Sequence, residues 1–145
     1  MPFKFSLDTV LRVRVILEEQ EERMLQRILF EVTQTREAIA RIDAELAGTT
    51  ALRLADVNKQ DIGHNIQASY GYVQQLKQSR KEQEDRLEKL MQLREKQVAI
   101  YETARRNREM ITDLREEKRS AYEAELARGE QKTVDDNFNA RRGRI

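Results

Sequence analysis

The chain has 145 residues, of which 37% are charged and 6% aromatic, with a net charge of +1 and no cysteine or tryptophan. This composition excludes disulfides and thiolate metal sites, and the near-neutral charge favours neither nucleic acid nor anionic lipid. Composition of this kind predicts long helices that bury a seam against each other instead of a deep core.

The first segment opens with Phe3-Lys4-Phe5 and continues into an apolar run over residues 7–17. Charged residues interrupt that run at Asp8, Arg12 and Arg14. We therefore expect neither a signal peptide nor a membrane span here.

Helix one is predicted over residues 7–47, because apolar residues recur there at alternating spacings of four and three. The coiled-coil seam is expected at Leu25, Ile28, Val32, Thr35, Ile39, Ile42 and Leu46. Earlier seam positions carry Arg14, Glu18 and Glu21, which predicts loose or shifted pairing. A neighbouring register is offered by Val10, Val13, Leu17 and Met24.

Gly48 is predicted to end helix one, with a connection over residues 48–60. Helix two is predicted over 61–128, because residues 72–128 contain neither Gly nor Pro and are rich in helix formers. Its later seam candidates drift in spacing, and the stretch between Leu76 and Leu87 is wholly polar. Gly129 is predicted to end the helix, leaving residues 129–145 as a flexible tail. The expected fold is a single all-α domain, an antiparallel two-helix coiled-coil hairpin whose second helix is longer.

If the chain folds back near residues 50–60, Leu7 should lie level with about Ile100. The segment from Tyr101 to Leu126 would then extend past the N-terminus without a partner, although a lone helix of that length is marginal in water. Its apolar residues should be covered by a partner protein, by another copy, or by Phe3 and Phe5 folding back.

The sequence shows no catalytic constellation, phosphate loop or cofactor motif, so no enzymatic activity is expected. His64 is the only histidine and has no plausible triad or metal set. The basic run Arg105-Arg106-Arg108 is flanked by Glu102 and Glu109, which cancel much of its field, so nucleic-acid binding is disfavoured. Contact with acidic groups of a protein partner suits these arginines better.

Three regions of the chain carry distinctive motifs. The opening has Phe3-Lys4-Phe5 followed by leucines and arginines, and the first part of predicted helix two has Tyr70-Gly71-Tyr72. The end has Tyr122, then Glu130-Gln131-Lys132, then Asp135-Asp136. These motifs resemble the aromatic-basic-aromatic start, the aromatic start of helix two and the C-terminal signature of the FliJ family of flagellar export proteins. Their order and spacing extend the resemblance over nearly the whole chain.

The resemblance implies a non-catalytic cytoplasmic component of the flagellar type III export apparatus, peripherally associated with the inner membrane but not inserted in it. Its implied partners are the hexameric export ATPase (FliI-like), for which it would be the central stalk and activator, the export gate protein (FlhA-like) and substrate chaperones. We expect the ATPase-facing residues to be Phe3, Phe5, Leu7, Arg105, Arg106, Arg108, Arg115 and Tyr122. The family's use of helix two for the gate suggests an exposed gate-facing stripe of Tyr72, Leu76, Ser79 and Gln83.

Two other readings remain open at this point. One is the stalk of a virulence-type III secretion system or a generic coiled-coil adaptor. The other is a helical hairpin that binds RNA or DNA, which the near-neutral charge disfavours.

Overall fold

The computed structural model describes residues 2–56 and 62–143, without the side chains of residues 53–56 and 62–67. It contains two helices, α1 (Asp8–Asp56) and α2 (Ile62–Arg142), and the described residues form no strand. The helices pack against each other as a helical hairpin in which α2 is the longer. The predicted all-α fold is therefore confirmed.

Residue contacts divide the chain into two compact units. Unit 1 comprises Met1–Gln20 and Tyr101–Ile145, and unit 2 comprises Glu21–Ile100. Each unit contains a segment of both helices. The prediction of a single coiled-coil domain over residues 1–145 stays a prediction.

The packing in unit 2 is mainly apolar. Val32, Val73, Leu76 and Leu90 are buried, and Thr35 is buried beside them with its hydroxyl donating to the Glu31 carbonyl at 2.8 Å. The seven seam residues predicted between Leu25 and Leu46 are all buried or half-buried. Their alternating spacing of four and three keeps one stripe of α1 turned toward α2.

The seam of α2 is more regular than the sequence indicated. Residues at an unbroken four-three spacing, Leu87, Leu90, Gln97, Tyr101, Ala104, Arg108 and Ile111, are buried or half-buried, with the exposed Arg94 filling the remaining position. The drift predicted through Val98 is wrong, because Gln97 takes the seam position. The amide of Gln97 donates to the backbone oxygen of Glu21 at 3.1 Å and to its carboxylate at 2.5 Å.

Both predicted helix ends at glycine are wrong. α1 continues through Gly48 to Asp56, and α2 continues through Gly129 to Arg142. Described glycines have no positive φ, so neither residue forms a left-handed cap. A glycine inside a helix costs about 1 kcal/mol relative to alanine, which the cooperativity of a long helix tolerates. Residues 57–60 of the predicted connection and 144–145 of the predicted tail lie outside the described residues.

The predicted alignment of Leu7 with Ile100 is also wrong. In unit 1, Arg115 Nε lies 3.5 Å from Asp8 Oδ1, and the rings of Phe3 and Tyr122 are 5.6 Å apart. The segment from Tyr101 to Tyr122 therefore has residues 2–20 as its partner. The prediction failed because α1 is longer than the sequence indicated, which moves every pairing further along α2.

Candidate functional site

A groove forms in unit 1 where the N-terminal segment meets α2. Its cavity volume is about 680 Å³, and it is lined by residues 2–7 together with Leu114, Lys118 and Tyr122. Phe5 is buried, while Phe3 packs on Tyr122 with a ring angle of 44°. The sequence left three possibilities for what covers the apolar residues of this part of α2: a partner protein, another copy, or Phe3 and Phe5. In the structure, Phe3 and Phe5 fold back onto it. Lys4 and Lys118 are the charged residues among those that line this groove.

Two of the four predicted ATPase-facing arginines are engaged between the helices. Arg108 donates to both carboxylate oxygens of Glu18, at 2.5 and 3.1 Å, and this hydrogen bonding raises the pKa of the guanidinium. Arg115 Nε is buried and makes no hydrogen bond, although Asp8 lies 3.5 Å away. Seam positions that were predicted to pair loosely, such as Glu18, are therefore held by specific polar contacts.

The other two arginines lie on the exposed surface of α2. Arg105 donates to Glu109 at 2.9 Å, and this contact raises the pKa of Arg105 and lowers that of Glu109. Arg106 lies 3.9 Å from Glu102. Both pairs span one helical turn and face solvent, so they contribute little stability and exchange partners readily.

The predicted gate-facing stripe is not an exposed stripe. Leu76 is buried in the seam of unit 2, and Ser79 and Gln83 are half-buried. Only Tyr72 is largely exposed, and its hydroxyl donates to Glu45 at 2.8 Å, which raises the pKa of the tyrosine. The expectation failed because residues 76 and 83 continue the four-three spacing of α2, which turns them toward α1.

A further interhelical ion pair in unit 2 had not been predicted. Arg80 donates to Asp43 at 2.6 Å and also contacts Glu84. The hydrogen bond from Arg80 lowers the pKa of Asp43. The sequence contained a signal for this ion pair, because Arg80 lies four residues after Leu76 in the same seam.

Across the part of the chain that the structure describes, no cluster of histidine, cysteine or acidic side chains is arranged to hold a metal ion. Within the same residues, neither helix has a stretch apolar enough to span a bilayer. The side chain of His64 lies outside the described residues.

The described residues form a hairpin of two long helices, and the ring of Phe3 near its N-terminus packs on Tyr122. The family model described as "Flagellar FliJ protein" matches residues 3–144. The chain belongs to the FliJ family. Membership makes it a component of flagellar type III protein export. Comparison with curated proteins and with solved structures gives no match.

Proposed function

We propose that this FliJ-family chain is the central stalk and activator of the hexameric flagellar export ATPase, the FliI-like ring. The observation that carries the proposal lies in unit 1, where the folded-back aromatic segment and α2 form an apolar groove. Beyond this groove α2 continues as an exposed helix to Arg142, and a projecting helix of this kind suits a site enclosed by several subunits.

Among the predicted ATPase-facing residues, the structure separates those that hold the end together from those able to contact a partner. Phe5, Arg108 and Arg115 are engaged inside the chain. Arg105 and Arg106 remain accessible, in pairs that exchange partners at small cost. We assign the partner contacts to these two arginines and to the groove formed by Phe3, Leu7 and Tyr122.

Activation by this chain would not involve catalysis. A ligand shifts an equilibrium only by binding one conformation better than another. One asymmetric stalk contacts identical ring subunits unequally, so it favours particular subunit conformations and thereby the nucleotide step that each subunit performs. Peripheral association with the inner-membrane export apparatus and linkage to substrate chaperones belong to the same proposal.

The test measures steady-state ATPase turnover with saturating stalk protein. Arg105→Gln with Arg106→Gln should reduce stimulation by half or more and weaken its salt dependence, because two charge contacts are lost. The matched control is Arg86→Gln with Lys89→Gln, which removes two exposed charges from unit 2. If both variants stimulate ATPase turnover equally and keep their helicity, Arg105 and Arg106 do not make the contact with the ATPase.

We further propose that unit 2 contacts the FlhA-like export gate, with Tyr72 as the main contact and Ser79 and Gln83 beside it. Tyr72 is the accessible aromatic residue of the predicted set. Tyr72→Ala should weaken binding to the gate's cytoplasmic domain several-fold with little change in melting temperature. Tyr70→Ala, which alters a neighbouring exposed tyrosine, is the control. Unchanged gate binding by Tyr72→Ala would end this assignment.

A further inference from the structure

The part of α1 that belongs to unit 1 is apolar on two sides, but α2 covers only one of them. Leu7 and Leu11 lie half-buried at the seam. Four apolar residues in the same three turns are each at least 39% exposed: Val10, Val13, Ile16 and Leu17. A helix with apolar residues on several faces is normally buried on several faces.

The exposed residues follow a simple rule of position. The residue immediately before each seam position is uncharged from Leu11 to Glu21 on α1 and from Ala104 to Arg115 on α2. These residues form what we call the lateral face: Val10, Val13, Leu17, Gln20, Thr103, Asn107, Met110 and Leu114. Two antiparallel helices are related by an approximate two-fold axis normal to their plane. The same flank of each helix therefore lies on the same side of the pair, which joins the two rows into one surface.

The lack of charge is confined to this one flank of unit 1. Residues immediately after the seam positions are mostly charged, among them Asp8, Arg12, Glu19, Glu102, Arg105, Glu109 and Glu116. In unit 2 the positions equivalent to the lateral face also carry charges, among them Arg27, Glu31, Glu82 and Lys96. In a chain with 37% charged residues, a face without charges that exposes four large apolar side chains suits contact with a partner surface that is itself uncharged.

We propose that the lateral face binds the lateral face of a second copy of this chain, forming a weak two-fold symmetric dimer. A symmetric interface is self-complementary, so it brings like residues near one another. An uncharged face meets this requirement without opposing like charges, and the net charge of +1 produces little repulsion between copies. The chain's own C-terminal segment does not cover the face, because α2 continues as one helix to Arg142.

The exposed area sets the strength of the dimer. Met110 is 69%, Val13 50%, Val10 40% and Leu17 39% exposed, so four apolar side chains of the face are open to a partner on each copy. An interface built on so few apolar side chains belongs with weak, transient interfaces, which bury less than about 1,200 Å² in total. The dimer should therefore form at micromolar concentrations and dissociate on dilution. This inference does not rest on the proposed contact with the ATPase.

Sedimentation velocity of the full chain over a concentration series tests the inference. Val13→Glu with Leu17→Glu places two like charges on each copy and should weaken association about tenfold or more. Phe30→Glu with Leu52→Glu is the matched control, because it replaces two exposed apolar residues of the same helix outside the face. Circular dichroism at low concentration should show equal helicity for both variants. If the glutamates reduce the helicity, Val13→Gln with Leu17→Gln replaces the glutamate variant in the test.

Concentration-dependent dimers of the wild type and the control, with a monomeric Val13→Glu/Leu17→Glu variant, support the proposal. A wild type that stays monomeric up to about 200 µM, far above the constants expected of this interface, overturns it. Unchanged association of the face variant also overturns it. A monomeric wild type whose face variant loses ATPase stimulation overturns the dimer and assigns the face to the ATPase instead.

Discussion

The two units use the same four-three repeat for different purposes. In unit 2 the seam contains buried Val32, Leu76 and Leu90, and the flanks carry charges. In unit 1 the helices are joined by ionic contacts such as Glu18–Arg108, and one flank of the helix pair is uncharged. We therefore expect the apolar seam of unit 2 to contribute more stability than the ionic seam of unit 1.

Replacing a buried seam leucine should have the largest effect and would test where stability resides. Leu76→Ala removes most of a buried side chain from unit 2 and should lower the free energy of unfolding by about 2–4 kcal/mol. Leu126→Ala, at a half-exposed site on the same helix, should change it by less than about 0.5 kcal/mol. Urea unfolding followed by circular dichroism measures both, and equal losses would contradict the contrast between the units.

Breaking the ionic seam of unit 1 should have a smaller effect. Glu18→Ala leaves the guanidinium of Arg108 without its carboxylate and should cost about 1–2 kcal/mol, less than a fully buried pair because both side chains retain some solvent contact. The double replacement Glu18→Leu with Arg108→Leu should recover this loss, because apolar residues of similar size satisfy the site without desolvated charge. A double variant no more stable than Glu18→Ala would show that the ion pair itself is required.

The smallest effect should come from the exposed pair of unit 2 and should depend on pH. Arg80 lowers the pKa of Asp43 below its usual value of 3.8 in the folded chain. A depressed folded pKa contributes stability above the unfolded pKa, and this contribution disappears as pH falls through the folded pKa. Melting temperatures of wild type and Asp43→Asn should therefore differ slightly at pH 7 and converge below about pH 3.8. A difference that persists at pH 2 would assign the effect to packing instead of charge.

The spacing of residues was sufficient to predict the helical class and the α1 seam from Leu25 to Leu46, because an apolar stripe at this repeat is a local property of the chain. The neighbouring register through Val10, Val13, Leu17 and Met24 was wrong as a pairing register, because all four side chains are exposed while Arg14, Glu18 and Glu21 lie at the seam. The predicted exposed stripe through Leu76 and Gln83 failed, although the signal was present. When the four-three seam spacing is continued through α2, Leu76 and Gln83 fall on seam positions, and so do Arg80 and Gln97.

The sequence alone determined helix formation, but the tertiary structure decided where the helices end and how they align. Gly48 and Gly129 are local stop signals, yet each adds only a small cost to a long cooperative helix, so both helices continue through them. Axial alignment is not a local property, because a four-three repeat shifted by seven residues presents the same kind of stripe. Contacts between distant residues fix it, through Asp8 and Arg115, Glu21 and Gln97, and Asp43 and Arg80.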